Sequence, residues 1–327
     1  MTIQFDYPEG ATPIQDYSCL KLAWIQTQKD LNRAEAENIA AAQKKYLSKP
    51  VHNPVKWFEP TSLKKIHKDM YGNVWEWAGE YRKEITSIGI KPFMIPSQLA
   101  ELCKEVKYWL TDPVELTFLE QAARIHHKLV FIHPFENGNG RFSRLIADRY
   151  LMFWGCQYPQ WPVELQKNGS SRSEYIKSLK CADKGDYDPL ITFMQDLGIK
   201  NPSLSELLGL ATYKDKLTNP QRMAIVKASL RMGCQANETK NNGYHPLHIA
   251  IKKGYDEIAL ILLQHGADIT FRDRSGYDPF ELAISLSNLK LAHAIHKAGY
   301  LYDRNNTQSI KLLQHQATLH EFEMQLR

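Results

Sequence analysis

Residues 133–144 read His-Pro-Phe-Glu-Asn-Gly-Asn-Gly-Arg-Phe-Ser-Arg: a histidine, a glycine-spaced turn and two arginines. Helix-capable apolar sequence flanks the stretch. EQAARIHHKLVFI at 120–132 places Ala123, Leu129, Val130 and Ile132 at helical spacing, and LIADRYLMFW at 145–154 continues apolar on the far side. A Gly-Asn-Gly turn that opens a helix leaves backbone N–H groups unspent, with the positive end of the helix dipole behind them, which suits phosphate. Gly138 and Gly140 have no Cβ, so a pyrophosphate can approach the main chain closely. Arg141 and Arg144 stand one helical turn apart on one face and can fork phosphate oxygens. His133 lies just ahead of this cradle and is the candidate proton acceptor. A base beside an anion hole is the equipment of phosphoryl-group chemistry.

Length and composition bound the remainder. A chain of 327 residues with 43% hydrophobic and 24% charged residues has the composition of an ordinary globular protein and the length for about two domains. The net charge of +5 is spread out: residues 201–327 carry 15 Lys/Arg against 12 Asp/Glu, so no basic stripe points to nucleic acid. Five cysteines without CxxC spacing argue for a reduced, cytoplasmic interior rather than a disulfide scaffold or zinc site. The N-terminal residues lack the pattern of a signal peptide, and no apolar run approaches the roughly 18 residues of a membrane span. Delivery into a host cell by a route that reads another signal stays open.

Residues 27–47 predict a long helix with a loose apolar face (Leu31, Ala34, Ile39, Ala42, Leu47), and residues 61–70 a second one capped by Thr61 or Ser62. YGNVWEWAGEYR at 71–82 supplies core aromatics. Residues 85–96 predict a short β-hairpin, and residues 99–110 an amphipathic helix ended by Thr111-Asp112-Pro113. In the last third Gly243, Pro246, Ala250 and Gly266 recur 33 residues later as Gly276, Pro279, Ala283 and Gly299. Gly233 aligns one period earlier, so 204–238 reads as a worn first repeat, and 307–327 as a terminal helix.

The 133–144 stretch resembles the signature of Fic-domain proteins, His-x-Phe-x-(Asp/Glu)-Gly-Asn-Gly-Arg-x-x-Arg, at every specified position except Asn137, where that family has an acid. Trp-Ala-Gly-x-x-Arg at 77–82 and Gly-Asp-x-x-Pro-Leu at 185–190 resemble further segments of such domains. From Asp6 to about Leu197 the chain is similar to the "mobile mystery protein B" group of the family, in which Asn also precedes the Gly-Asn-Gly. The 33-residue units resemble ankyrin repeats. The expected organisation is an all-α Fic fold with a small β-hairpin flap, followed by a helical solenoid. Its expected parts are an N-terminal segment (1–60), a Fic core (61–200), ankyrin repeats (204–302) and a capping helix (303–327).

The resemblance implies transfer of AMP from ATP to a Ser, Thr or Tyr hydroxyl of a target protein. His133 would be the base. Phe135, Gly138, Asn139, Gly140, Arg141 and Arg144 would form the nucleotide-binding loop, with Arg141 also catalytic and Phe135 anchoring the loop in the core. The family's acid ligates Mg²⁺; Asn137 offers only a neutral carbonyl there, so a weakened metal site is expected. His126 and His127 do not stand at metal-site spacing from His133. Many relatives carry an inhibitory helix, (Ser/Thr)-x-x-x-Glu-(Gly/Asn), whose Glu pairs with the second motif arginine, here Arg144. Glu37-Asn38 fits the last two positions with Arg33 in place of Ser/Thr, and Glu35 is the second candidate. Such a Glu could also position water for removal of AMP. The target would dock on the flap at 85–96 and on the repeats; a homodimer stays open as a partner. The alternatives are phosphocholine transfer from CDP-choline and a non-catalytic scaffold.

Overall fold

A computed structural model describes residues 17–48, 57–154, 156–162, 165, 169–199, 203–209, 217–238, 245–301 and 315–325. Residues 1–16 lie outside them, as do 302–314, which include the start of the terminal helix expected over 307–327. Two compact units form, 1–112 with 118–201, and 113–117 with 202–327.

In the first unit, helix α1 (Gln28–Leu47) begins at Thr27, whose side chain accepts from the Asp30 N–H at 3.1 Å while the Asp30 carboxylate accepts from the Thr27 N–H at 3.1 Å. Its buried face carries two polar residues, Glu35 and Asn38, among Leu31, Ala34, Ile39 and Ala42, and packs on α2 (Pro60–Tyr71). Helix α2 does not use Thr61 or Ser62 as its cap. It starts at Pro60, whose missing N–H is no loss in a first turn, with Glu59 as an N-cap whose side chain makes no capping bond and pairs with Lys107 instead. Helix α3 (Ile95–Thr111) likewise begins four residues earlier than the periodicity suggests, because Pro96 fits its opening turn. Helices α4 (Phe118–Ile132) and α5 (Asn139–Phe153) pack against each other and are joined by the motif loop. Behind α4 stand α6 (Ser170–Ala182) and α7 (Asp188–Asp196).

The expected β-hairpin at 85–96 is not formed. Residues 82–91 carry neither helix nor strand, Pro92–Met94 make one 3₁₀ turn, and α3 follows directly. Pro92 and Pro96 lack the N–H a ladder needs, and the carbonyls of Glu84 and Ile90 are spent on the Arg82 guanidinium. Among the described residues the only β pairing is two isolated bridges, Leu20–Trp75 and Tyr81–Phe135.

The second unit is a stack of helix pairs: α8 (Leu204–Gly209) with α9 (Asn219–Arg231), α10 (Pro246–Lys253) with α11 (Asp256–Gln264), and α12 (Pro279–Ser285) with α13 (Leu289–Lys297). First members pack on first members and second on second, and α14 (Gln316–Gln325) rests on α12 and α13 with Phe322 fully buried. The second helix of each pair ends the same way. Gly233, Gly266 and Gly299 have φ of 88°, 75° and 109°, and their N–H groups reach Leu230, Leu263 and His296 carbonyls at 3.0, 3.1 and 3.0 Å. The following N–H in each case reaches one residue further back, to Ser229, Leu262 and Ile295. A left-handed residue is needed at each end, which is why glycine recurs with the period.

Candidate catalytic and phosphate-binding site

Helix α4 ends at His133, a non-glycine residue in the left-handed region with φ 52°. That conformation costs about 1–2 kcal/mol and is held from both sides. The His133 N–H closes α4 on Leu129 at 3.1 Å, and its carbonyl accepts from Arg82 Nε at 2.6 Å. The imidazole is 7% exposed. Its Nδ1 faces the Val130 carbonyl at 3.3 Å. A carbonyl can only accept, so the ring proton sits on Nδ1 and Nε2 carries the lone pair. Burial pulls the imidazole down to about 4, the Val130 carbonyl opposes this, and the Arg82 charge adds to it. At neutral pH this histidine is a base.

The loop then turns into α5. Phe135 is fully buried and stacks on His67 with centroids 3.7 Å apart. It is therefore a core anchor and presents no ring to a ligand. The Asn139 side chain closes the loop on itself, accepting from the Phe135 N–H at 2.9 Å and donating to the Phe135 carbonyl at 2.8 Å. Only its main chain is left for an anion. The first ladder bond of α5 runs from Phe142 N–H to Gly138 O at 2.9 Å, so the N–H groups of Asn139, Gly140 and Arg141 precede the helix's own bonding.

The two glycines have different reasons. Gly138 is the N-cap with φ 79°, and a Cβ there would come within 2.4 Å of the Tyr71 ring. The fold itself demands it. Gly140 has no positive φ, and a Cβ there would meet nothing nearer than Arg144 Nη1 at 3.7 Å. Nothing in the chain requires glycine at 140; a ligand approaching the main chain would.

Arg141 lies over the Tyr71 ring at 5.2 Å, donates to Glu35 Oε2 at 2.9 Å, and reaches Asn137 Oδ1 at 3.3 Å. Glu35 is 6% exposed, and its other oxygen accepts from Trp75 Nε1 at 2.8 Å. Of the two glutamates considered, Glu35 thus faces the loop while Glu37 points to solvent. The expected partner also changes: Glu35 grips Arg141, and Arg144 lies instead over the Trp161 ring at 5.6 Å. Helical geometry explains the choice, since Glu35 shares the buried stripe with Leu31, Asn38 and Ala42, whereas Glu37 is on the opposite face. His126 and His127 are engaged elsewhere, with Tyr175 Oη at 2.9 Å and with Asp183 at 2.9 Å.

Two residues support this site: Arg82, which the sequence offers only as the end of the Trp-Ala-Gly-x-x-Arg segment with no role of its own, and His67, which the sequence does not single out. Arg82 donates from Nε to His133 O, from Nη1 to Glu84 O at 2.8 Å, and from Nη2 to Ile90 O, and its own N–H reaches Pro134 O at 3.0 Å. His67 donates from Nε2 to Asn137 O at 3.0 Å while Nδ1 accepts from the Gly79 N–H at 3.0 Å. For Arg82 the signal is that family-like segment; for His67 it is only a titratable residue inside a stretch that otherwise reads as an ordinary helix.

The junction of α4 and α5 thus brings together a neutral buried histidine, helix-start N–H groups that precede the helix's own ladder, and two arginines. The chain carries a Fic domain followed by ankyrin repeats: residues 57–151 match the Fic/DOC family and residues 216–306 match ankyrin repeats in three copies. "Protein adenylyltransferase Fic" of Aedes aegypti is 34% identical over 158 residues, covering 47% of this chain and 30% of that protein. The same-named protein of Drosophila virilis is 38% identical over 120 residues, covering 36% of this chain and 24% of its own length. The chain therefore spans less than a third of the curated relatives it matches. Ankyrin repeats are protein-interaction modules, and among the described residues no helix is long and apolar enough to cross a membrane.

Proposed function

We propose that this chain is a protein adenylyltransferase that moves AMP from ATP to a hydroxyl of a target protein. The hydroxyl oxygen attacks the α-phosphorus, His133 Nε2 takes the hydroxyl proton, and the bond to the β-phosphate breaks with pyrophosphate leaving. N–H groups at 138–140 hold the phosphate oxygens of the reacting centre. Arg141 and Arg144 offset the charge that builds on the leaving group. The observation that carries this reading is a neutral His133, its ring proton held on Nδ1, at the end of α4, in the same loop as a Gly140 at which a Cβ would meet nothing in the chain nearer than Arg144 Nη1.

The site rests closed. Arg141 cannot clamp phosphates while Glu35 occupies it, so Glu35 acts as the brake, and ATP must displace its carboxylate. Once displaced, the same carboxylate is placed to orient water for removal of AMP. A protein-held Mg²⁺ does not fit the donor set. The Asn137 oxygen is neutral and already accepts from Arg141, and the described residues hold no cluster of three metal-ligating side chains. A cation here would be held by the nucleotide's own phosphates. Target docking falls to the loop over 85–96, where Ile85 and Phe93 are 77% and 79% exposed, and to the repeats.

The test is incubation of the full chain with ATP labelled at the α-phosphate, alongside His133→Ala and a parallel arm with labelled CDP-choline. Label from ATP on protein that disappears in His133→Ala is the expected result. Label from CDP-choline alone would reassign the donor, and no label from either would leave a scaffold.

A further inference from the structure

An anion hole needs more than N–H groups at a helix start. The carbonyls of the same loop must be turned away, because each one facing the ligand would set a partial negative charge against phosphate. The turning away is done here by two residues remote in sequence, Arg82 and His67, and by Asn139 within the loop itself. In the loop ahead of α5, the His133 carbonyl is taken by Arg82 Nε and the Pro134 carbonyl by the Arg82 N–H. The Phe135 carbonyl is taken by Asn139 Nδ2. The Asn137 carbonyl, the last before the helix cap, is taken by His67 Nε2 at 3.0 Å.

His67 is wholly buried, and its two nitrogens have separate duties. Nδ1 accepts from the Gly79 N–H, which requires the neutral ring, and that leaves the proton on Nε2 for Asn137. Burial holds the ring neutral, to about 3, with the nearby Arg141 charge adding to the effect. The stack on Phe135, with the two rings 14° from parallel, fixes the orientation of the imidazole.

We propose that His67 is a positioning residue for the phosphate cradle: by holding the Asn137 carbonyl toward the core it keeps the 138–140 backbone presenting N–H to the ligand. This rests on the nucleotide-binding reading above.

The two nitrogens can be separated by substitution. His67→Gln places an amide near Nε2 and keeps the donor to Asn137. His67→Asn places its oxygen near Nδ1 and keeps the acceptor for Gly79, but is too short to reach Asn137. Full-chain wild type, His67→Gln and His67→Asn are titrated calorimetrically with a non-hydrolysable ATP analogue and with adenosine, and thermal unfolding is followed in parallel. The readout is the ratio of the two affinities, which isolates the phosphate-dependent part. Loss of one neutral hydrogen bond predicts a ratio about fivefold lower in His67→Asn, with His67→Gln restored to near wild type. Equal ratios in all three, or a ratio that follows only the loss of thermal stability in both variants, overturn the proposal. A wild type that prefers neither ligand overturns the nucleotide reading itself, and this inference with it.

Discussion

Replacing Glu35 with glutamine should make the protein less stable and its site more receptive at once. The carboxylate is 6% exposed and makes two bonds, one to the Arg141 guanidinium at 2.9 Å and one to Trp75 Nε1 at 2.8 Å. The glutamine oxygen can keep the indole bond, but the amide nitrogen cannot accept from Arg141. A hydrogen bond to a charged group contributes about 1.5–3 kcal/mol, and the free protein loses this when the guanidinium is left short of an anion. ATP would then meet an arginine it no longer has to take from a carboxylate. The same free energy reappears as affinity, about tenfold to a hundredfold tighter binding. Calorimetric titration with a non-hydrolysable ATP analogue, thermal unfolding without ligand and α-phosphate labelling read the three consequences. Tighter binding, a lower melting temperature and faster labelling are expected together. A variant that is destabilised but binds ATP no better would refute the brake. Glu37→Gln, the same change on the exposed face of α1, is the control and should leave all three unchanged.

Gly89→Ala should abolish most labelling while sparing nucleotide binding. Gly89 has φ 104°, and a Cβ there would lie 2.4 Å from the His133 Cβ and 2.7 Å from Arg82 Nη2, so the base is pushed out of line; a misplacement on this scale costs tenfold or more, roughly, in rate. Wild-type labelling with an undisturbed His133 resonance in this variant would contradict the packing. Asn137→Asp supplies an anionic oxygen where the amide stands, and should lower the Mg²⁺ concentration for half-maximal labelling; an unchanged requirement would show that position 137 does not face the cation. The pH profile carries a further expectation. His133 is held to about 4, and His67 and His126 to about 3, in each case chiefly by burial. The unfolded chain therefore binds more protons than the native one below the ordinary histidine value of 6.5. Stability from these groups is complete above that value and is lost progressively as pH falls toward the folded values. Initial labelling rates should show no step centred near 6.5 arising from His133, whereas the melting temperature should already decline between about pH 6.5 and 5. A rate step centred on 6.5 that His133→Ala removes would mean the imidazole is solvated.

Much of this protein was legible in the order of its residues, because local rules decide those parts. A glycine-spaced turn between two apolar helical stretches announces a helix start that can take an anion, and Arg141 and Arg144 share a face by helical arithmetic alone. The 33-residue recurrence was equally visible, since each second helix must end through a left-handed glycine (Gly233, Gly266, Gly299). What local rules could not decide was which distant group meets which. Glu35 and Glu37 are two residues apart and equally acidic. Only the packing of α1 against α2 and α5 buries the first and exposes the second, and gives it Arg141 rather than Arg144. Alternation over 85–96 suggested a hairpin, yet a strand needs a partner for every N–H, and two prolines and the fork of Arg82 settled the loop otherwise. In the sequence His67 is one residue of a predicted helix, and Arg82 is the end of a family-like segment with no role attached. Their purpose appears only when carbonyls of a loop some fifty to seventy residues later are brought onto them, because hydrogen-bond satisfaction of buried groups is a property of the folded whole and not of any segment.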